Sequence, residues 1–148
     1  MNKQKWIICF CLLMIVIVPL VSLNAFSDEY VDELIENALE QSSNNNTKAR
    51  EYFDRVLEIE PNNIKALYGK GSVLLLGNDL DSSFEYFDKV LEIEPNNVSA
   101  LVNKGVVLGQ KKQFDESLIF LNKAIEIEPN NTNALMNKAV LFLTQKKN

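Results

Sequence analysis

Histidine is absent from these 148 residues, and the two cysteines, Cys9 and Cys11, both lie in an apolar stretch near the N-terminus. Those two shortages remove most zinc sites, Cys-His and Ser-His nucleophile systems and imidazole proton shuttles. No catalytic residue, metal site or cofactor is expected. A body without thiols tolerates oxidising and reducing surroundings equally, which is consistent with export without requiring it. Positive charge is also short. Of 15 basic residues, Lys3 and Lys5 lie in the leader, so 13 remain after residue 26 to face all 20 acids. Such a body repels phosphates, and nucleic acid is not an expected partner. About 120 residues beyond the leader suit a single domain.

The leader is the one long hydrophobic run. Lys3 and Lys5 precede an apolar stretch from Trp6 to Val18, then Pro19, then a looser segment ending in Ala25, with the first acids at Asp28 and Glu29. That order of charges predicts export with the repeats outside, secreted, periplasmic or tethered. Pro19 leaves Ile7 to Val18 as a core of signal-peptide length, whereas Trp6 to Leu23 as a helix would span about 27 Å, close to a hydrocarbon layer of roughly 30 Å. Residues 1–25 are therefore either a cleaved signal peptide or a retained anchor, and 6–23 are the only expected membrane contact.

Proline is scarce too, yet three of the four, Pro61, Pro95 and Pro129, sit in identical Glu-Ile-Glu-Pro-Asn-Asn hexapeptides at a step of 34 residues. One helix breaker per 34 residues leaves room for two helices of about 12 to 15 residues and two turns. Units then run over 64–97 and 98–131, with 132–148 as a terminal half unit and 30–63 as an atypical first one. In the first helices, Leu67-Gly71-Leu74, Leu101-Gly105-Leu108 and Leu135-Ala139-Phe142 each fall on one face. In the second, Ser83-Phe87-Val90-Leu91 recurs as Ser117-Leu121-Ala124-Ile125 and earlier as Ala49-Phe53-Val56-Leu57. Small residues at Gly71, Ser83, Gly105 and Ser117 predict close helix approach. In the first unit only Leu34 and Ala38 fit, with one residue dropped, and Asp32, Glu33 and Glu36 give its helix, drawn from Tyr30 to Gln41, an acidic outer surface. Asp81 and Asp115 are expected as helix caps. Each Asn-Asn is expected to close its turn in a left-handed conformation.

Large, small and aromatic positions at these intervals, with the proline near each unit's end, resemble the tetratricopeptide repeat (TPR) family over almost everything after residue 30. The resemblance implies an all-α, right-handed superhelix of antiparallel helix hairpins, about three and a half repeats long. It also implies a noncatalytic interaction module whose first helices line a concave groove for a protein or peptide partner. Carried onto this sequence, the groove series are Lys65, Ser99 and Asn133; Tyr68, Val102 and Met136; Ser72, Val106 and Val140; and Gly69, Asn103 and Asn137. Asparagines at the last of these often hold a bound peptide's backbone in this family. Chaperone-binding members clamp a terminal carboxylate with lysine and arginine. Only Lys65 is basic here, so a partly apolar segment is expected instead. The alternative is a self-assembling spacer with no peptide ligand. The recurring Lys70, Lys104 and Lys138 suggest solvated or salt-bridged residues. The glutamate pairs at 58/60, 92/94 and 126/128 point in different directions on their helices and form no shared site. Asn45, Asn97 and Asn130 begin Asn-X-Ser/Thr sequons in predicted turns.

Overall fold

The computed structural model describes residues 27–42 and 46–146. The leader and residues 43–45, with the sequon asparagine Asn45, lie outside the described residues, as do the last two. Among those described, seven helices and no strand occur: α1 over 27–42, α2 Asn46–Ile59, α3 Ile64–Leu76, α4 Leu80–Ile93, α5 Val98–Gln110, α6 Phe114–Ile127 and α7 Thr132–Gln145. None of them is long and apolar enough to cross a membrane. Consecutive helices pack as antiparallel hairpins stacked into a superhelix, α1–α2 through one shared apolar cluster, then α3–α4 and α5–α6, with α7 as the half unit.

The hexapeptide builds the joints between hairpins. Pro61, Pro95 and Pro129 sit in turns, where their missing N–H costs no helical bond. Across each turn the second asparagine's N–H donates to the glutamate carbonyl three residues back, at 3.0 Å in all three. That asparagine, Asn63, Asn97 or Asn131, has extended backbone with φ near −67°, not left-handed as expected. It is the N-cap of the next helix. Its Oδ1 accepts from the backbone N–H of Ala66, Ala100 or Ala134 at 2.9 to 3.0 Å, and its Nδ2 donates to Glu60, Glu94 or Glu128 at 2.6 to 2.8 Å. One asparagine thus satisfies an orphan helix donor and anchors the glutamate behind it. The second glutamate of each pair has this structural role.

Left-handed backbone occurs instead within the hairpins, at Asn78 and Lys112. The caps there also differ from expectation. Asp79, not Asp81, accepts from Ser82 N at 3.3 Å, while Gln113, the N-cap of α6, makes no side-chain cap bond. Asp81 and Asp115 lie within the first turn, where negative charge favours the helix N-terminus without a cap bond.

The close approach is as expected. Ser83 Oγ donates to Gly71 O at 2.8 Å and Ser117 Oγ to Gly105 O at 2.6 Å, all four residues being buried. A Cβ on Gly71 would stand 2.9 Å from the Phe87 ring, and one on Gly105 2.8 Å from Leu121 Cγ. α1 fits better than its sequence suggested, burying Val31, Leu34, Ile35 and Ala38 in one cluster with Ala49 and Phe53 and leaving Asp32, Glu33 and Glu36 outside. It starts ahead of Tyr30. α7 departs from the other first helices. Ala134 and Leu141 join the core of the α5–α6 hairpin and cover it, but Leu135, Ala139 and Phe142 are exposed because no second helix lies over them.

Two outcomes follow from these joints. Asn97→Ala removes an N-cap between two folded hairpins and should cost about 1 kcal/mol in urea unfolding, within the range of cap deletions. Gly105→Val forces side-chain carbons into Leu121 and should cost about 2 kcal/mol or more. The double variant Gly105→Val/Leu121→Ala should be more stable than the two single losses summed, a coupling that would be absent if the helices did not meet there.

Candidate functional site

Side chains expected to line the groove divide into three environments. Lys65, Ser99 and Asn133 are exposed at the starts of α3, α5 and α7. Next along the helices, Tyr68 is half-buried with its ring tilted against Phe87 at 5.8 Å between centroids. Asn103 Nδ2 donates to its hydroxyl at 2.9 Å. Ser72 Oγ donates to Tyr68 O. Val102 does not belong to the groove: at 5 % exposure it is part of the α5–α6–α7 core. Gly69 is likewise buried, because the Phe53 ring of the preceding hairpin occupies the space a Cβ would need. Met136 is 59 % exposed. The Asn137 amide donates to Asn133 O within its own helix, so neither asparagine amide nitrogen points free into the groove, while both side-chain oxygens retain acceptor capacity.

Val106, Asn137 and Val140 come together in a cleft of about 390 Å³ between α5, α6 and α7, alongside Gly109, Phe114 and Leu121. Its origin lies in two differences between aligned repeats. Where α3 has Leu75, packed on the core, α5 has Gly109; where α4 has the fully buried ring of Phe87, α6 has the smaller Leu121. Volume removed at both positions leaves an apolar recess beside α7, whose Leu141 Cδ1 lies 3.0 Å from where a Gly109 Cβ would be. Gly109, Phe114 and Leu121 were absent from the expected groove set. The signal was available in the aligned repeats as a change of size at constant register.

Behind the groove, two of the recurring lysines pack between helices, Lys104 buried and Lys70 half-buried. Lys70 pairs with Asp54 and Lys104 with Asp88, each on the preceding second helix. Lys104 Nζ also lies 4.4 Å from the rings of both Phe84 and Phe120, and Lys70 Nζ 4.7 Å from that of Tyr86. Burial works to lower the Lys70 pKa, but hydrogen bonds with Asp54 and Tyr86 outweigh it and hold the ammonium above the ordinary lysine range. A raised folded-state pKa means the contribution is complete at neutral pH and lost only as pH rises past the lysine range. Lys138 differs: Asn122 and Leu118 stand where Asp88 and Phe84 hold Lys104. Lys70 and Lys104 are therefore structural and offer no clamp to a ligand.

Solved structures share this arrangement. A Thermobaculum terrenum O-GlcNAc transferase mutant is 24% identical with a TM-score of 0.71 over 75% of this chain and 22% of that one, so the chain spans about a fifth of that enzyme's length. The Arabidopsis OM64 TPR domain is 16% identical, TM-score 0.74, over 78% of this chain and 97% of that one. The first TPR of Spaghetti (RPAP3), solved with the HSP90 peptide SRMEEVD, is 13% identical, TM-score 0.73, over 78% and 93%. At these identities the likeness is one of fold. A comparison with curated proteins finds no match. Repeat solenoids of this kind generally present an extended surface to other proteins. A family model described as the tetratricopeptide repeat protein 21 N-terminal ARM repeat matches residues 34–147, well over half of the chain, and by that match the chain belongs to this family.

Proposed function

We propose that the concave face binds an extended, partly apolar peptide segment of another protein, with the α5–α6–α7 cleft taking one of its apolar side chains. The observation that carries this reading is the recess opened by Gly109 and Leu121, since a concave apolar site with a few polar groups at its edge is the usual form of an anchor pocket. Asn103 and Asn137 have side-chain oxygens able to accept peptide N–H groups, and exposed Ser99 and Asn133 make a neutral polar rim. Lys65 is the sole cation in these series, which disfavours a terminal carboxylate as the recognised group. Burial of three apolar side chains contributes roughly 5 to 9 kcal/mol and association removes several of these, which corresponds to micromolar affinity at best. We further propose that the module works outside the cytoplasmic or ER membrane, exported or tethered through residues 1–25, on the basis of the basic, apolar and acidic order of the leader.

Selection of random peptides on the full chain provides the test. Recovered peptides should share one large apolar residue and bind with micromolar Kd. Val140→Asp, at an exposed position on the cleft wall, should weaken them at least tenfold, whereas Lys65→Ala should change Kd less than threefold. Equal binding by the Val140→Asp chain would remove the cleft from consideration.

A further inference from the structure

The cleft beside α7 has a polar edge whose charge is one-sided. Lys112 lines it, and Gln110, Asn137, Thr144 and the buried Ser117 supply its other polar side chains. No acid is among them. Asp115 and Glu116 follow on α6, but neither lines the cleft, and among the described residues no ion pair forms at Lys112. Its neighbour Lys111 is taken, bonded to Asp81 at 2.6 Å. In a chain with 20 acids against 15 basic residues, an exposed cation without an acid, set beside an apolar recess, has its charge to offer a ligand.

Backbone geometry holds that cation at the mouth. Lys112 is left-handed, with φ 62°, where the preceding hairpin has left-handed Asn78. Asparagine adopts this conformation at lower cost than lysine, so the exchange gains nothing for the turn. The turn is fixed on either side, by Lys112 N–H donating to Gly109 O at 3.1 Å and Gln113 N–H to Leu108 O at 2.9 Å.

The aligned repeats also specify what fits the recess. Beside α5 the equivalent space is filled from α3 and α4 alone, by Leu75, Leu80 and the ring of Phe87 in one cluster with Ala100 and Val107. The space beside α7 is therefore open for want of volume at Gly109 and Leu121, within α5 and α6, and not for want of a helix beyond it. A ring is the piece removed. Phe114, standing where α4 has Leu80, gives the wall an aromatic surface that a ring from outside can meet edge to face.

We propose, resting on the peptide-binding reading above, that the bound segment carries an aromatic anchor with an aspartate or glutamate two positions away. The ring enters the recess and the carboxylate meets Lys112. Residues two apart in an extended chain share a face, so an acid at that spacing points toward the protein together with the anchor. A single lysine matches a single side-chain carboxylate in mid-segment.

The test uses the full chain and fluorescein-labelled, C-terminally amidated peptides, Gly-Ser-Thr-Phe-Ser-Glu-Ser-Gly and the order with glutamate two before phenylalanine. Fluorescence anisotropy at low salt should show, in one of the two orders, the glutamate peptide binding about threefold to fivefold tighter than its glutamine form, the size of an exposed ion pair. That preference should vanish with Lys112→Asn, which copies the turn residue of the preceding hairpin and so suits the fold, and should turn toward a lysine peptide with Lys112→Glu. Replacing phenylalanine by leucine should weaken binding about threefold, and replacing it by alanine, or Val140→Asp in the chain, about tenfold. Equal binding of glutamate and glutamine forms in both orders, a glutamate preference that Lys112→Asn leaves intact, or a leucine peptide as tight as the phenylalanine one overturns the proposal. If Val140→Asp still weakens those peptides, the cleft itself survives. Binding indifferent to Val140→Asp and to the loss of phenylalanine, or no binding, removes cleft and proposal together. Tighter binding by a peptide whose free terminal carboxylate replaces the glutamate also overturns it, because the chain end would then be the recognised group.

Discussion

The joint formed by glutamate, proline and two asparagines fixes everything built on it. Proline ends one helix, and the second asparagine starts the next by accepting the N–H of the residue three ahead while its amide grips the glutamate behind. With both helix ends tied to one side chain, the direction in which a hairpin leaves its predecessor has little freedom. Three joints of near-identical geometry therefore add the same step each time, and side chains 34 residues apart in sequence come to lie side by side. The concave face results from that repetition, since it gathers equivalent positions of α3, α5 and α7.

Regularity in the joints allows irregularity in the core to become a site. If the repeats were identical, the space beside α7 would be filled as the space beside α5 is, by a leucine and a phenylalanine ring. Gly109 and Leu121 remove that volume while the serine–glycine contact between Ser117 and Gly105 keeps the hairpin closed. Packing is dense enough elsewhere that the loss is not absorbed by collapse, and a recess remains. The lysine ladder shows the same drift. Lys70, half-buried, and Lys104, buried, each meet an acid and aromatic rings that offset desolvation, whereas the Lys138 surroundings have changed to Leu118 and Asn122.

How far the sequence could be read depended on whether a position was set by the repeat or by a neighbour. Helix count, hairpin order and the close approach at Gly71 and Gly105 follow from spacing alone, and the structure has them. The asparagines were legible as turn residues but not as caps, because the same composition serves a left-handed turn and an extended N-cap, and only the hydrogen-bond partner decides between them. Asp81 and Asp115 were misplaced by two residues for a related reason, since the hairpin turn closes through left-handed Asn78 and Lys112 and starts the helix earlier. Val102 was assigned to the groove on family geometry, yet the neighbouring α7 covers it. Exposure at such positions depends on the helix stacked alongside, which one repeat's pattern does not contain.

α7 completes the cleft. Its Asn137 and Val140 edge lines one wall, while Ala134 and Leu141 hold the helix to the core of the α5–α6 hairpin. The site therefore depends on a contact between successive units, and a change that loosens Leu141 alters the cleft without touching the residues proposed to meet a ligand.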